Sequence, residues 1–469
     1  MIDTSSYTII AHLFPRLLGA IYFFAFGAFL FQMKGLFGKN GILPIESYLD
    51  WLKRVRPKRC YQLAPTLFWL SAKDEMQFLV VALGTVCSAL LVGGFYPTLL
   101  LICVFALYLS IISAGQDFLS FGWEVFLQEI TLNAILLSMS PVPNLLVWIS
   151  INLLLFRFHV QAGAVKIQSG DPNWKNLTAI KYHYQSQPIP NTLAWYVHKL
   201  PMWFHKMSCA VMFLAELVIP FLLFFTQEAR LFVFVVLVGL QLSIWLTGNF
   251  SYLNHLTVVL CTILLNNDSL GILGFEVPAE VHTSLALDTG LSLMGGALIM
   301  LQLMRLSDHF FPNALFRKVF SFLAPWHIAN RYGIFAVMTT TRYEVVIEAS
   351  NDEKEWKEYS FCHKPSELAR RPRRISPYQP RLDWQAWFLP FGRFDEEQWF
   401  HSFLAHLLRG TPEVLALIRH NPFPDGPPKC IRVMMYVYEF TSFKEKRETG
   451  NWWKRRFVGQ FSPALKIVN

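Results

Sequence analysis

Nine stretches of this chain are apolar over lengths close to the ~20 residues that span the hydrocarbon core of a bilayer. They lie at 16–36, 77–95, 97–114, 121–139, 144–165, 207–226, 231–247, 252–266 and 286–305. In lipid every backbone N–H and C=O needs an internal partner, so runs of this length fold as helices. Composition agrees, because 54% of the 469 residues are hydrophobic and only 16% charged, with 42 Phe and 15 Trp. That is more apolar surface than a soluble fold buries. The expected fold is a multi-pass α-helical membrane bundle of about eight to nine helices. The runs at 97–114, 121–139 and 252–266 are short or interrupted by polar residues, which suits tilted, re-entrant or protein-buried helices. The first run passes from Leu17 into Gln32, Lys34 and Gly35 without a small-residue cleavage site. It reads as a retained helix, not a signal peptide.

Composition changes near Pro325, dividing a transmembrane domain over 1–325 from a soluble, β-rich domain over 326–469. Glu344–Glu348 (EVVIE) and Ile431–Tyr438 (IRVMMYVY) read as strands. A Ser350-Asn351-Asp352 turn and Trp356 outline a hairpin of the kind found in discoidin-like β-sandwiches. A Pro-rich arm follows from Pro365 to Pro380 and carries Arg370, Arg371, Arg373 and Arg374. Helices are expected at 395–409 and 411–419, the second with Thr411 as N-cap and Pro412 in its first turn.

The net charge of +9 is spread over loops and tail without an aromatic-lined basic groove, so nucleic acid is not the expected partner. Membrane topology accounts for it better. Lys53, Arg54, Arg56, Lys58 and Arg59 fall between the first two helices, and the positive-inside tendency would place that loop, and with eight further crossings the tail, in the cytosol. The seven cysteines are scattered singly and read as small buried hydrophobes, with Cys362 and Cys430 alone sharing a soluble domain where a disulfide is conceivable. The 13 His show no metal-ligand spacing, and no phosphate-, dinucleotide- or nucleophile-elbow motif occurs, so neither metal nor cofactor is implied.

Polar residues within the apolar helices carry the strongest inference about a site. The turn Ser140–Asn144 (SPVPN) is short, so the helices flanking it are antiparallel neighbours and residues equally far from Val142 share a depth. Glu124 and Glu129 then lie level with Arg157, His159 and Gln161, and Asp117 lies level with Lys166. Matched opposite charges are what a low-dielectric interior requires of buried ions. One reading is a structural ion-pair cluster that sets helix register. The other is a pocket with Lys166 as a catalytic base, joined by Glu216, Asn249, Asn254 and His255.

Longer motifs add a resemblance. SGDPNWKNLTAIKYHYQSQPIPNTLAWYVHKLP from Ser169, the Glu216–Pro220 helix end, Gly248-Asn249-Phe250, and the tail segments YGIFAVMTTTRYEVVIEASND, RRPRRISPYQPRLDWQAWF, NPFPDGPPKCIRVMMYVYEFT and WWKRRFVGQFSP resemble the lipase maturation factor family. The resemblance implies a multi-pass protein of the endoplasmic reticulum membrane, or of the inner membrane in a bacterium. Its tail would be lumenal or periplasmic, and it would assist the folding of secreted lipases without being a hydrolase. Its partners would be membrane lipids and client polypeptides. Trp, Tyr and Arg dominate binding hot spots, which singles out Arg381, Asp383, Trp384, Trp387, Phe388, Trp452 and Trp453 as client-binding candidates. The same spacing also suits aromatics that pack a core or dock the tail on the bundle. A more distant similarity, Gly163-Ala164-Val165-Lys166 followed by Trp174, is to the membrane domain of vitamin K-dependent carboxylase, and makes a Lys166-centred enzyme the alternative function.

Overall fold

The computed structural model describes residues 3–277, 284–333 and 335–466. Each apolar run contains a helix: α1 Thr8–Leu30, α2 Asp74–Val92, α3 Pro97–Ala114, α4 Gly122–Ser138, α5 Leu145–Gln168, α6 Met202–Leu217, α7 Gln227–Thr247, α8 Leu253–Cys261 and α9 Leu285–Phe310. Among the described residues seven helices, α1 and α6 counted with their adjoining 3-10 turns, are long and apolar enough to cross a membrane. The two that fall short are α4, with 17 residues, and α8, which with its 3-10 extension covers Leu253–Leu264. Most side chains of both are buried by neighbouring protein. A helix so enclosed does not meet lipid along its length and need not match its thickness. After Leu217, α6 tightens into a 3-10 turn, Ile219–Phe224, at Pro220, which lacks the N–H an α-helix needs there.

Local signals set the turns. Asn144 caps α5 by accepting from the Leu146 and Val147 amides at 3.0 and 3.3 Å, while its Nδ2 donates to Asp288 Oδ1 at 2.8 Å and Ser292 Oγ at 2.9 Å on α9. Further along the same helix pair, Gly295 of α9 lies against the α5 backbone. A Cβ there would sit 2.7 Å from Leu146 C and Val147 N.

The helices alternate in direction, so the 31–73 loop and the tail emerge at one end of the bundle. They touch there: Ser402 Oγ donates to Ile42 O at 2.6 Å and Asn40 Nδ2 to Glu413 Oε1 at 3.3 Å. The Lys53–Arg59 cluster and the tail therefore share a side. A miscounted helix cannot reconcile the charge argument, which puts that side in the cytosol, with a lumenal tail.

The tail carries a four-stranded antiparallel sheet in the order β2-β1-β3-β4, formed by β1 Arg342–Ser350, β2 Lys357–Glu358, β3 Cys430–Phe440 and β4 Trp453–Lys466. A sheet domain thus follows the membrane bundle, as expected. The sandwich expectation is corrected in its detail, because a single sheet is present among the described residues and the layer facing it is helical. Val345, Ile347, Ile431 and Val433 share a core with Phe400, Phe403 and Leu407 of α11, Gln398–Arg409; α10, Arg381–Ala386, precedes it. On the other face Val346, Tyr438 and Trp453 pack with Tyr184 and Trp195, which lie in two short helices before α6, Ala179–Ser186 and Thr192–Val197. Within β1 only Tyr343 is exposed, as suits a strand covered on both faces. The hairpin turn is an Asp-capped loop in which Asp352 Oδ1 accepts from the Lys354 and Glu355 amides at 2.9 Å. The expected 411–419 helix is reduced to Pro412–Leu415. All seven cysteines are free, so Cys362 and Cys430 form no disulfide.

The contact at Gly295 generates a prediction. Gly295→Val should destabilise the bundle by about 1–3 kcal/mol and lower the melting temperature in detergent. Gly296→Val, whose added Cβ meets nothing nearer than Leu146 Cδ1 at 3.8 Å, should leave it nearly unchanged. Equal melting curves for the two variants would refute the close packing.

Candidate functional site

The polar residues of the bundle are organised at the seam where the tail meets it. Glu129 is buried in α4, and Arg157 Nη2 of α5 donates to its Oε1. Its Oε2 accepts from three tail groups: the Asn330 amide at 3.0 Å, Asn330 Nδ2 at 3.0 Å and Tyr332 OH at 2.6 Å. Arg157 Nη1 donates to Asn330 O at 2.6 Å, and the Tyr332 amide to Gln161 Oε1 at 3.3 Å. Residues 329–332 are thus wedged into the bundle, and Arg305 of α9 closes the wedge by donating to Ala329 O.

Five residues earlier on α4, Glu124 is also fully buried. Its carboxylate accepts from Trp123 Nε1 at 3.0 Å, from Tyr252 OH at 2.6 Å and from Tyr108 OH, and pairs with Arg381 of the tail at 2.8 Å. Arg381 Nη1 also donates to Phe118 O at 2.7 Å, and its guanidinium lies 4.2 Å from the centre of the Phe29 ring. A buried carboxylate left without such partners would be strongly destabilising.

Lys166 stands apart from both. Its Nζ donates to Glu216 Oε1 and Oε2 of α6 at 2.7 and 2.6 Å, and lies 5.6 Å from the Trp174 ring centre. Gly163 permits the pair, because a Cβ there would come within 2.7 Å of Leu217 and 3.1 Å of Glu216 Cβ. Asp117, the partner expected from depth, is exposed in the turn after α3 and joins no ion pair among the described residues. Depth alone ranks partners on the neighbouring helix. It is blind to α6, which reaches α5 through the gap at Gly163. His159 Nδ1 bonds to Leu155 O at 3.0 Å, and His159 has no acidic partner among the described residues. Asn254 Nδ2 donates to Gln241 Oε1 at 2.8 Å, which ties α8 to α7.

The segment from Ser169 to Pro201 brackets bundle and tail. Asp171 Oδ2 accepts from the Met338 amide at 2.6 Å, and Gln185 Oε1 from the Phe440 amide at 2.9 Å. Arg342 donates to the carbonyls of Gln185, Gln187 and Pro188, and its charge is balanced by buried Glu344, which Lys364 also reaches at 2.6 Å. Asn249, after α7, uses its whole amide: Nδ2 donates to Ile189 O and Arg373 O at 3.2 and 2.9 Å, and Oδ1 accepts from the Ile375 and Ser376 amides at 2.8 and 3.2 Å.

Both parts of the chain match known families. A family described as the lipase maturation factor transmembrane domain matches residues 9–272, and one described as the lipase maturation factor C-terminal domain matches residues 328–463. The chain belongs to the lipase maturation factor family. Lipase maturation factor 1 of Mus musculus is 31% identical, over 96% of this chain and 86% of its own length. Lipase maturation factor 1 of Homo sapiens is 30% identical over 96% and 87%, and lipase maturation factor 2 of Gallus gallus 30% over 97% and 81%. No solved structure matches the chain. Family membership and the spanning helices make it an integral membrane protein.

In this member of the lipase maturation factor family, the seam takes up most of the client-binding candidates. Arg381, Asp383, Trp384, Trp387, Trp452 and Trp453 are all buried. Asp383 Oδ1 accepts from the His363 and Lys364 amides, Trp384 packs on Trp123 with ring centres 5.0 Å apart, and Trp387 Nε1 donates to Ser186 O at 2.8 Å. Trp452 packs on Trp195, and Trp453 on Phe440. Phe388 alone is exposed, at 38%. Arg381, Trp384, Trp387 and Trp452 dock the tail on the rest of the chain, while Asp383 and Trp453 make these contacts within the tail. Sequence reasoning missed Asn330, Tyr332 and Arg342, because their partners lie across a domain border that no spacing rule crosses, and it missed Glu344 and Lys364, which pair within the tail at a separation of 20 residues.

Two predictions test this arrangement. If Lys166 and Glu216 serve packing, Lys166→Met should cost about 3–5 kcal/mol by stranding the carboxylate, and adding Glu216→Leu should restore stability and family function. Loss of function in a stable double variant would instead make Lys166 a functional amine. Separately, burial pushes the imidazoles of His183 and His198 down to about 4, against about 6.5 for a free side chain. The unfolded chain then binds more protons between these values, so stability falls as pH drops through the window. Melting temperature should decline from about pH 6.5 towards 4, and His183→Phe should flatten the decline. An unchanged slope would refute the assignment.

Proposed function

We propose that this protein is a non-catalytic maturation factor for secreted lipases, embedded in the membrane with its tail on the lumenal side of the endoplasmic reticulum, or the periplasmic side in a bacterium. Similarity to lipase maturation factors over nearly the whole chain, bundle and tail in the same order, carries the reading. The geometry supports a helper role, because Lys166, the candidate base, is engaged by both oxygens of Glu216. The Lys53–Arg59 cluster on the tail's side pulls against this orientation, since short basic loops favour the cytosol. Access to secreted clients favours it.

With Trp384 and Trp387 of the RLDWQAWF motif buried and only Phe388 of its aromatics exposed, a client needs a further surface. The outer edge of β4 suits one. Among the described residues β4 pairs only with β3, and Phe457 and Val458 are 52% and 45% exposed. An unpaired strand edge offers backbone donors and acceptors to an extended segment of a partly folded protein.

Co-expression with a secreted lipase in eukaryotic cells tests both parts. Phe457→Asp with Val458→Asp should lower the specific activity of secreted lipase several-fold at unchanged factor level. Asn176, in an Asn-Leu-Thr sequon and exposed at the tail's end of the bundle, should acquire a glycan. Lipase activity that is indifferent to the whole protein would end the maturation reading, and an unmodified Asn176 would reverse the orientation.

A further inference from the structure

The Pro-rich arm carries three arginines that lie against aromatic rings or in solvent and that no carboxylate neutralises among the described residues. Asn249 and Thr192 pin the arm's backbone: Asn249 binds Arg373 O and the Ile375 and Ser376 amides, and Thr192 Oγ1 donates to Pro372 O. The side chains of Arg371, Arg373 and Arg374 project outward and are exposed. Among the described residues none of the three pairs with a carboxylate. Arg371 Nε donates to Thr192 Oγ1 at 3.0 Å, and Arg374 Nη2 reaches Leu246 O at 3.4 Å. Arg370, the preceding member of the run, is by contrast consumed internally, donating to Phe361 O and Cys362 O. With Asn191, Leu193 and Tyr196 the three free guanidinium groups line an open groove.

The depth of this groove identifies what it faces. Arg374 lies 4.5 Å from the ring centre of Trp245, in the last turn of α7. That helix is mostly exposed along its length, with Leu242 and Leu246 44% and 38% accessible beside the groove. Leu193 and Tyr196 continue the apolar surface on the groove's other wall, 38% and 48% exposed. Trp and Tyr mark the headgroup level of a bilayer. The arginines therefore sit where a span gives way to lipid phosphates, with apolar surface directly beneath them for acyl chains. Guanidinium groups bind phosphate oxygens through paired, charge-assisted hydrogen bonds. A soluble anion would have no use for the apolar wall, and an acidic protein segment would have to enter the headgroup layer.

We propose that this groove binds the phosphate headgroup of an anionic phospholipid, held by Arg371, Arg373 and Arg374 at the end of α7. The bound lipid would fasten the arm, and through Asn249 the tail, to the membrane surface.

The test uses the full chain purified in neutral detergent and titrated with phosphatidylglycerol or phosphatidylcholine, the retained lipid being counted by native mass spectrometry. The wild-type protein should prefer phosphatidylglycerol by at least about tenfold, as expected where each nearby arginine contributes about 1 kcal/mol. R371Q/R373Q/R374Q should abolish the preference while keeping its melting temperature. Should the triple variant misfold, R373Q replaces it, since that side chain makes no hydrogen bond among the described residues. It should weaken phosphatidylglycerol binding where R373K does not. Equal retention of the two lipids by the wild-type protein, or undiminished preference in the glutamine variants, would overturn the proposal. So would displacement of phosphatidylglycerol by an equal concentration of glycerol 3-phosphate, which would assign the groove to a soluble anion.

Discussion

Two carboxylates on one short helix hold this architecture together. Glu124 and Glu129 lie in the interior of a membrane bundle, where an unpaired ion costs several kcal/mol even after relaxation. The bundle satisfies each only in part. Arg157, Tyr108, Tyr252 and Trp123 come from the helices and their turns, but Arg381, Asn330 and Tyr332 come from the tail. Neither half of the chain is electrostatically complete without the other. Bundle and tail are separate regions of sequence and a single unit of stability, so cutting the chain near Pro325 would expose buried charge and not simply remove a module.

The same dependence explains how α4 is a member of the bundle at all. At 17 residues it is about 25 Å long, short of a bilayer core, and it carries two acids. A helix of that kind is stable in lipid only if protein surrounds it and supplies donors at the correct depth. The segment from Ser169 to Pro201 then acts as a bracket outside the membrane, using backbone carbonyls and a few amide side chains to hold the sheet against the helix ends.

Much of this was legible in the residues. Apolar runs translate directly into helices because lipid leaves the backbone little alternative, and each run contains one. The short SPVPN turn fixes two antiparallel neighbours, and the geometry does bring Glu129 to Arg157. Contacts that depend on a third element are not legible in this way. Lys166 meets Glu216 because Gly163 lets α6 approach, which a two-helix comparison cannot see. Trp384, Trp387 and Trp452 suggested a binding face because a sequence does not say which side of an aromatic is already covered. The helical layer against the sheet was hidden for a similar reason, since strands buried on both faces look alike whether the cover is a sheet or a helix.

The wedge of residues 329–332 also has a consequence in time. Glu129 and Asn330 are 201 residues apart, and chains are synthesised at ~5–20 residues per second. For roughly 10–40 s after α4 is made, its carboxylate has no access to the donors that complete it. During that interval the nascent protein must hold an unfinished, charged helix among its neighbours. The arrival of the tail ends the wait, so the last part made is also the part that locks the first.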